Sequence, residues 1–267
     1  MTLQPRRSRR HHHVWQHYLE PWTTDGAIWC RQDGGRIFRT GTRAVAVETD
    51  FHVLPELTPV DVQALAIWLS RLTPVVQEAC APVVNTLLLP VAVPHRLQGA
   101  DAATRERARQ FVERFRAEAV ESFHTYVEGN AIPLLARARQ GDLSFYGEDE
   151  GAARFLHFLA LQFMRTKGPQ QRARELGEDP TGFDVARVWS IVTPMFATAH
   201  GVVLFGERKR RTLSRVVNET GVPFITGDQP VVNLMASPRR DQDVDFEAGE
   251  ATLAELEAAL LSEGRAP

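Results

Sequence analysis

Asp228 stands at a point in the sequence where a carboxylate would be held rigidly. Residues 224–226 are apolar or β-branched and predict a short buried strand, which Gly227 ends. Glycine permits backbone angles that are closed to other residues, and Pro230 has a fixed φ, so the turn between them is stiff. A carboxylate held in this way can act as a catalytic acid or hold a ligand. It can equally bond only its own backbone in an Asx-turn, and the segment alone favours that structural interpretation.

Histidines are dense near the start of the chain, at positions 11–13 and at His17. Imidazole is the commonest metal ligand and the side chain that titrates nearest neutrality. His13 and His17 are four residues apart, so they would share one face of a helix. Because no HExxH motif completes a set of ligands, the histidines are candidates for metal or proton chemistry and equally for a polar arm.

Two further pairs place titratable side chains on one face of a predicted element. Glu48 and Asp50 follow an apolar strand, and alternation puts both on the same face. Such a pair can hold a divalent cation or share acid–base work, or it can simply mark a solvated strand end. His124 and Glu128 lie four residues apart on a predicted helix, where they can face one metal ion or form an ordinary surface pair.

Arg165 carries a charge that the sequence predicts to be buried. It shares a helix face with Gln162, among apolar residues at helical spacing. Burying a guanidinium is costly unless it is paired, so a carboxylate or a bound anion is expected beside it. If the partner is only structural, the result is a buried network without chemistry. The candidate partners are Asp228, Glu128 and Glu48.

The elements that must position these side chains are β at both ends of the chain and helical between them. Residues 27–47 and 213–226 predict hairpins, and helical spacing dominates residues 58–205. We therefore expect an α+β fold, in which a predominantly helical middle packs on a small mixed or antiparallel sheet formed by the N-terminal and C-terminal β segments. The expected organisation is a basic flexible arm at residues 1–10, a single domain at residues 11–235 and a divergent C-terminal tail with a short helix at residues 236–267.

Composition limits the class of protein. Of the 267 residues, 43% are hydrophobic and 24% are charged, which is the balance of a globular protein with a sizeable core. The net charge of -2 excludes a globally basic nucleic-acid binder, although not a local basic channel. The chain has two cysteines, Cys30 and Cys80. Their small number and their separation in the sequence are typical of a protein from a reducing cytoplasm. Neither an export signal nor a run of about 18 apolar residues is found, so we expect a cytoplasmic protein without a membrane span.

Five short motifs follow one another along the chain: His11-His12-x-Val14-x-Gln16-x-Tyr18-Leu19, Gly26-x-Ile28-Trp29, Val47-Glu48-x-Asp50-Phe51, Ala160-Leu161-Gln162-x-x-Arg165-Thr166 and Phe224-Ile225-Thr226-x-Asp228-x-Pro230-Val231. In this order they resemble the bacterial family catalogued as domain of unknown function 4238, over roughly residues 11–235. The family usually has proline at the position of Trp15, and Ser-Asp-Asn-Pro where residues 227–230 read Gly-Asp-Gln-Pro. A serine or asparagine that took part in chemistry would therefore be missing here.

The resemblance singles out a set of polar residues of the types that hydrolases use. We expect a hydrolase acting on phosphodiesters, nuclease-like and metal-assisted, with a role in defence against phage or mobile elements. Asp228 and Glu48 would hold a divalent metal ion or position water, His12 would be a general base or a ligand, and Arg165 would neutralise negative charge. The expected binding residues are His11, Gln16, Tyr18, Asp50 and Gln162.

The expected partner is a nucleic acid or another phosphorylated ligand. Two alternatives stay open at this point. One is a non-enzymatic module that binds an anionic ligand or peptide, and the other is a purely structural buried polar network.

Overall fold

The computed structural model describes residues 10–32, 35–176 and 182–232. Within these ranges four short strands occupy the N-terminal part: β1 (Arg10–His12), β2 (Ile28–Arg31), β3 (Ile37–Thr40) and β4 (Val47–Thr49). They form two separate antiparallel pairs, β1 with β4 and β2 with β3. The β1–β4 pair sets His11 opposite Glu48, and so brings the N-terminal histidines next to the predicted carboxylate strand.

Helices make up most of the rest of the described chain. They are α1 (Gln16–Leu19), α2 (Pro59–Arg71), α3 (Pro74–Leu87), α4 (Leu89–Arg96), α5 (Ala102–Arg139), α6 (Asp149–Met164), α7 (Lys167–Leu176) and α8 (Trp189–Glu207). The core lies between α5, α6 and α8, where Val127, Leu161 and Ile191 are almost completely buried. The large apolar side chains of these helices therefore provide the frame that positions the polar residues beside them.

The start of α2 shows how local sequence sets a helix boundary. The Thr58 hydroxyl accepts a hydrogen bond from the Asp61 backbone N–H, and the Asp61 carboxylate accepts one from the Thr58 backbone N–H. This capping box, with Pro59 at the first helical position, satisfies the free N–H groups of the first turn. Asp61 is fully buried and also pairs with Arg187, so the cap ties α2 to the segment that precedes α8.

The α+β class is confirmed, but the described strands all come from the N-terminal part. Residues 211–232 contain no strand, which corrects the expectation of a C-terminal hairpin in the sheet. The turn does form, because the Asn218 side chain accepts from the Thr220 N–H and donates to the Val222 carbonyl. Val222 and Ile225 are nevertheless 74% and 91% exposed, so no core face holds the flanking residues in strands.

One helix bears on the expectation about membrane spans but does not test it. The segment Trp189–Arg210 is long and apolar enough to cross a membrane by length and composition, and the bent pair α3 and α4 would pass the same test together. Of the apolar window in the first segment, 56% is buried within the fold. Such a helix is weak evidence for a span, because the core helix of a soluble protein has the same composition.

Residues 1–9 and 236–267 lie outside the described residues, as does the short helix expected in the tail. Arg10, which was assigned to the arm, is the first residue of β1. Its guanidinium donates to the Arg43 carbonyl, and this links the start of the strand to the turn before β4.

Candidate functional site

A group of polar side chains is buried where β1 meets α5 and the end of α6. We call it the polar cluster, and it contains His11, His52, Glu121, His124, Glu128, Gln162 and Arg165. All except Glu121 are less than 9% exposed. Three of its members, His11, Gln162 and Arg165, belong to the predicted site residues, and His124 and Glu128 were predicted to share one face of a helix.

Arg165 is the only formal positive charge among the members of the polar cluster. It is 2% exposed and caps the C-terminus of α6. Its guanidinium forms an ion pair with Glu128 and donates to the carbonyl of His12. Gln162 lies one turn earlier and donates to the same Glu128 oxygen at 3.3 Å. The carboxylate required by a buried arginine is therefore Glu128, one of the three partners that the sequence offered.

Burial shifts the pKa of the Arg165 guanidinium. Loss of hydration lowers the pKa of Arg165 to about 10, and the Glu121 carboxylate acts in the opposite direction. The side chain is still charged at neutral pH. The polar cluster thus contains a fixed cation whose Nε–H has no hydrogen-bond partner among the described residues.

His11 connects the strand pair to the loop after β4. The backbone N–H of His52 donates to His11 Nδ1 at 2.9 Å, and the two rings stack with centroids 5.8 Å apart. Because Nδ1 accepts this bond, neutral His11 carries its proton on Nε2. The contact fixes His52 against α5. There the His52 and His124 rings lie edge to face, with their centroids 4.4 Å apart.

His52, Glu121 and His124 form a triad within the polar cluster. Glu121 Oε1 lies 3.6 Å from His52 Nε2 and 3.6 Å from His124 Nδ1. Burial lowers the pKa of both histidines well below the usual value, and the nearby Arg165 charge acts in the same direction. Both imidazoles are therefore neutral at pH 7. The side chain of Glu121 is 34% exposed, so the triad reaches solvent on that side.

His12 faces away from this arrangement. Successive side chains of a strand alternate, so His12 lies on the opposite face of β1 from His11, near the backbone of Thr42. Its pKa is lowered by burial and by the Arg165 charge. His12 therefore contributes its carbonyl to Arg165, while its imidazole lies outside the polar cluster.

Glu48 lies at the edge of the polar cluster rather than inside it. It forms an ion pair with Lys167 at 2.8 Å, and the two side chains are 41% and 47% exposed. The hydrogen bond from Lys167 lowers the pKa of Glu48. Beside this pair His13 is buried, and desolvation together with the Lys167 charge lowers its pKa to about 4. The expected pairing of Glu48 with Asp50 does not arise, because β4 ends at Thr49 and Asp50 adopts a φ of 56°.

Three further predicted residues lie elsewhere. The Gln16 amide donates to the Thr42 hydroxyl at 3.3 Å, which joins α1 to the turn before β4. The Tyr18 hydroxyl lies 2.8 Å from the Thr226 hydroxyl and connects α1 with residues 211–232. Asp228 is exposed, and its side chain makes no hydrogen bond or ion pair with the residues described. The structure thus does not bring Asp228 together with Arg165.

Two triad members, His52 and Glu121, escaped the sequence interpretation. A usable signal exists on α5, because Glu121, His124 and Glu128 are spaced by three and four residues and must share one face. His52 carries no comparable signal. It reaches α5 only because the chain turns back after β4.

The polar cluster holds an excess of unsatisfied groups. Ten buried polar side-chain atoms of the described residues have no hydrogen-bond partner, and six of them belong to this cluster. They are His52 Nε2, Glu121 Oε1, His124 Nδ1, His124 Nε2, Gln162 Oε1 and Arg165 Nε. Buried polar atoms in folded proteins are normally satisfied, so this concentration makes the polar cluster the candidate functional site.

Comparison with models of known protein families gives a match. The family model described as protein of unknown function, DUF4238, matches residues 10–185, which include every member of the polar cluster and end before Asp228. No curated protein and no solved structure matches the chain. Since the matched segment covers well over half of the 267 residues, the chain belongs to the DUF4238 family of proteins of unknown function.

Proposed function

We propose that the chain is a hydrolase acting on phosphodiester substrates, with the polar cluster as its reaction centre. The observation that carries the proposal is the joint presence of a buried guanidinium with a free Nε–H and a triad of unsatisfied donor and acceptor atoms. Guanidinium geometry suits phosphate oxygens, and its charge has a large effect where water is excluded. The two free cysteines, Cys30 and Cys80, support an intracellular setting.

The roles follow from position. Water would be activated at the triad, where it meets two neutral imidazoles and a carboxylate, groups that can take up a proton or hold a metal ion. Arg165 would stabilise the negative charge that develops on the phosphoryl oxygens. In this reaction the water oxygen bonds to phosphorus, one P–O ester bond breaks, and the proton lost by water ends on the leaving oxygen. His12 and Asp228 have no role in this assignment.

Hydrolysis of a chromogenic phosphodiester and of single- and double-stranded nucleic acid, with added divalent metal ions, tests the proposal. The Glu121→Gln variant should lose about 10²–10⁴-fold in rate, because it removes a group that acts directly on water. The control is His157→Gln, which alters a histidine of α6 that lies outside the polar cluster. The proposal is refuted if the wild-type protein hydrolyses none of these substrates. It is also refuted if the Glu121→Gln variant hydrolyses them at the wild-type rate.

Burial favours a second candidate, a purely structural network. Arg165 and Glu128 are only 2% and 6% exposed, so the pair could serve packing alone. This candidate predicts that the polar cluster can be replaced by apolar side chains without loss of any activity. The two candidates therefore differ in whether a folded protein that lacks the Arg165–Glu128 ion pair still hydrolyses phosphodiesters at the wild-type rate.

A further inference from the structure

The triad has the separation that a single metal ion requires. Ligand atoms of His52, Glu121 and His124 all lie within 4.8 Å of one another, and the two contacts of Glu121 Oε1 are both 3.6 Å. Nitrogen and oxygen ligands bind zinc at about 2.0–2.2 Å, which places them roughly 3–3.5 Å apart around the ion. Small side-chain rotations would therefore bring all three atoms onto one ion.

Burial and lack of partners supply an independent indication. His52 and His124 are 4% and 1% exposed, and within the described part of the chain the nitrogens that point to Glu121 have no hydrogen-bond partner. Glu121 Oε1 is also buried and unsatisfied. A neutral imidazole can donate its N–H to a carboxylate, but at 3.6 Å neither nitrogen is within hydrogen-bond distance of Glu121 Oε1. A cation that accepts electron pairs from all three satisfies them at once.

The net charge of the polar cluster also favours a bound cation. The polar cluster contains one guanidinium, Arg165, against the two carboxylates of Glu121 and Glu128. It therefore carries a net negative charge, which repels a phosphodiester anion. A divalent ion at the triad would reverse the sign and draw the anion towards Arg165.

We propose that His52 Nε2, Glu121 Oε1 and His124 Nδ1 bind one divalent transition-metal ion of the zinc, iron or manganese class. Two imidazoles and one carboxylate suit these ions, whereas calcium and magnesium prefer ligand sets made of oxygen. Three protein ligands leave coordination positions open, as in catalytic rather than structural sites. His11 has a positioning role, since its Nδ1 accepts the backbone N–H of His52. The role of the ion in catalysis rests on the proposed function, whereas metal binding is measured without substrate.

The test uses the full chain freed of metal by chelation and dialysis. Calorimetric titration with Zn²⁺ should give one ion per chain, and Co²⁺ should produce the visible absorption bands of a nitrogen- and oxygen-ligated site. Glu121→Gln and His124→Gln should each weaken Zn²⁺ binding by more than the ~10–100-fold typical of outer-shell partners. Mg²⁺ should compete weakly with Zn²⁺.

The control is His17→Gln, because His17 sits beside Glu20 at 2.7 Å near the surface and could bind zinc by itself. This variant should bind as wild type does. Circular dichroism checks that each variant is folded, and the partly exposed Glu121 carries the test if His124→Gln does not fold. The proposal is overturned if wild type binds no Zn²⁺, or if binding survives both triad variants. Binding without hydrolysis would sustain the metal site and reject the proposed reaction.

Discussion

Replacing the Arg165–Glu128 pair, first one residue at a time and then both together, separates structure from function in the polar cluster. Glu128→Leu leaves the Arg165 guanidinium buried without a counter-charge. Arg165→Met leaves the Glu128 carboxylate buried without one. Each pair member is less than 9% exposed. Breaking such a buried pair costs about 3–5 kcal/mol, which is a large part of the stability of a domain.

The double variant should be much more stable than these single costs suggest. An apolar pair of similar volume removes both buried charges, so the charge-related penalty disappears. What is left is the loss of two hydrogen bonds, from Gln162 to Glu128 and from Arg165 to the His12 carbonyl. Leaving each of these two groups unsatisfied costs about 1–3 kcal/mol. The coupling free energy between the two positions should therefore be about 3 kcal/mol or more.

Urea unfolding followed by tryptophan fluorescence measures the free energy of unfolding of wild type, both single variants and the double variant. Additive effects, with coupling below about 1 kcal/mol, would refute the argument that the two charges balance each other in a buried site. The same folded double variant is then assayed for phosphodiester hydrolysis. Loss of hydrolysis supports the polar cluster as the reaction centre, whereas hydrolysis at the wild-type rate supports the structural candidate.

Three further predictions concern the scaffold. Asp61→Ala should cost about 2–4 kcal/mol in the free energy of unfolding, because it removes the carboxylate that accepts the Thr58 N–H in the capping box and that is the buried partner of Arg187. Burial lowers the pKa of His157 from 6.5 to about 4, so the unfolded state binds more protons between these values and stability falls as pH drops. This group should account for about 2 kcal/mol lost between about pH 7 and pH 5, and His157→Gln should abolish that share. Tyr18→Phe removes the bond to Thr226 and should speed proteolysis within residues 211–232, with at most about 1 kcal/mol of global destabilisation.

Each of these has a control or a contrary result. Asp101→Ala removes an exposed cap on α5 and should cost clearly less than Asp61→Ala, so equal losses at the two positions would contradict the role of burial. An unchanged pH dependence in His157→Gln would show that other groups carry the acid sensitivity. Tyr126→Phe, at an exposed position of α5, should leave the proteolysis rate unchanged. If Tyr18→Phe is cleaved at the wild-type rate, the contact of the Tyr18 hydroxyl does not anchor residues 211–232.

The sequence by itself determined the features that depend on near neighbours in the chain. Thr58 and Pro59 predict the start of α2 because the free N–H groups of a first turn select such residues. Helical spacing placed Gln162 and Arg165 on one face of α6, and the cost of burying a guanidinium predicted a carboxylate partner. The α+β class follows from the same local periodicities.

Only the tertiary structure decided which distant groups meet. Glu128 was one of three possible partners for Arg165, and the packing of α5 against α6 selected it. His52 enters the triad because β4 pairs with β1 and the following loop is fixed by His11, an arrangement that no local spacing specifies. Asp228, which sits in the stiffest turn of the sequence, is exposed because residues 211–232 find no strand partner. Periodicity and propensity act over a few residues, whereas a site forms where chain returns and core packing bring side chains together.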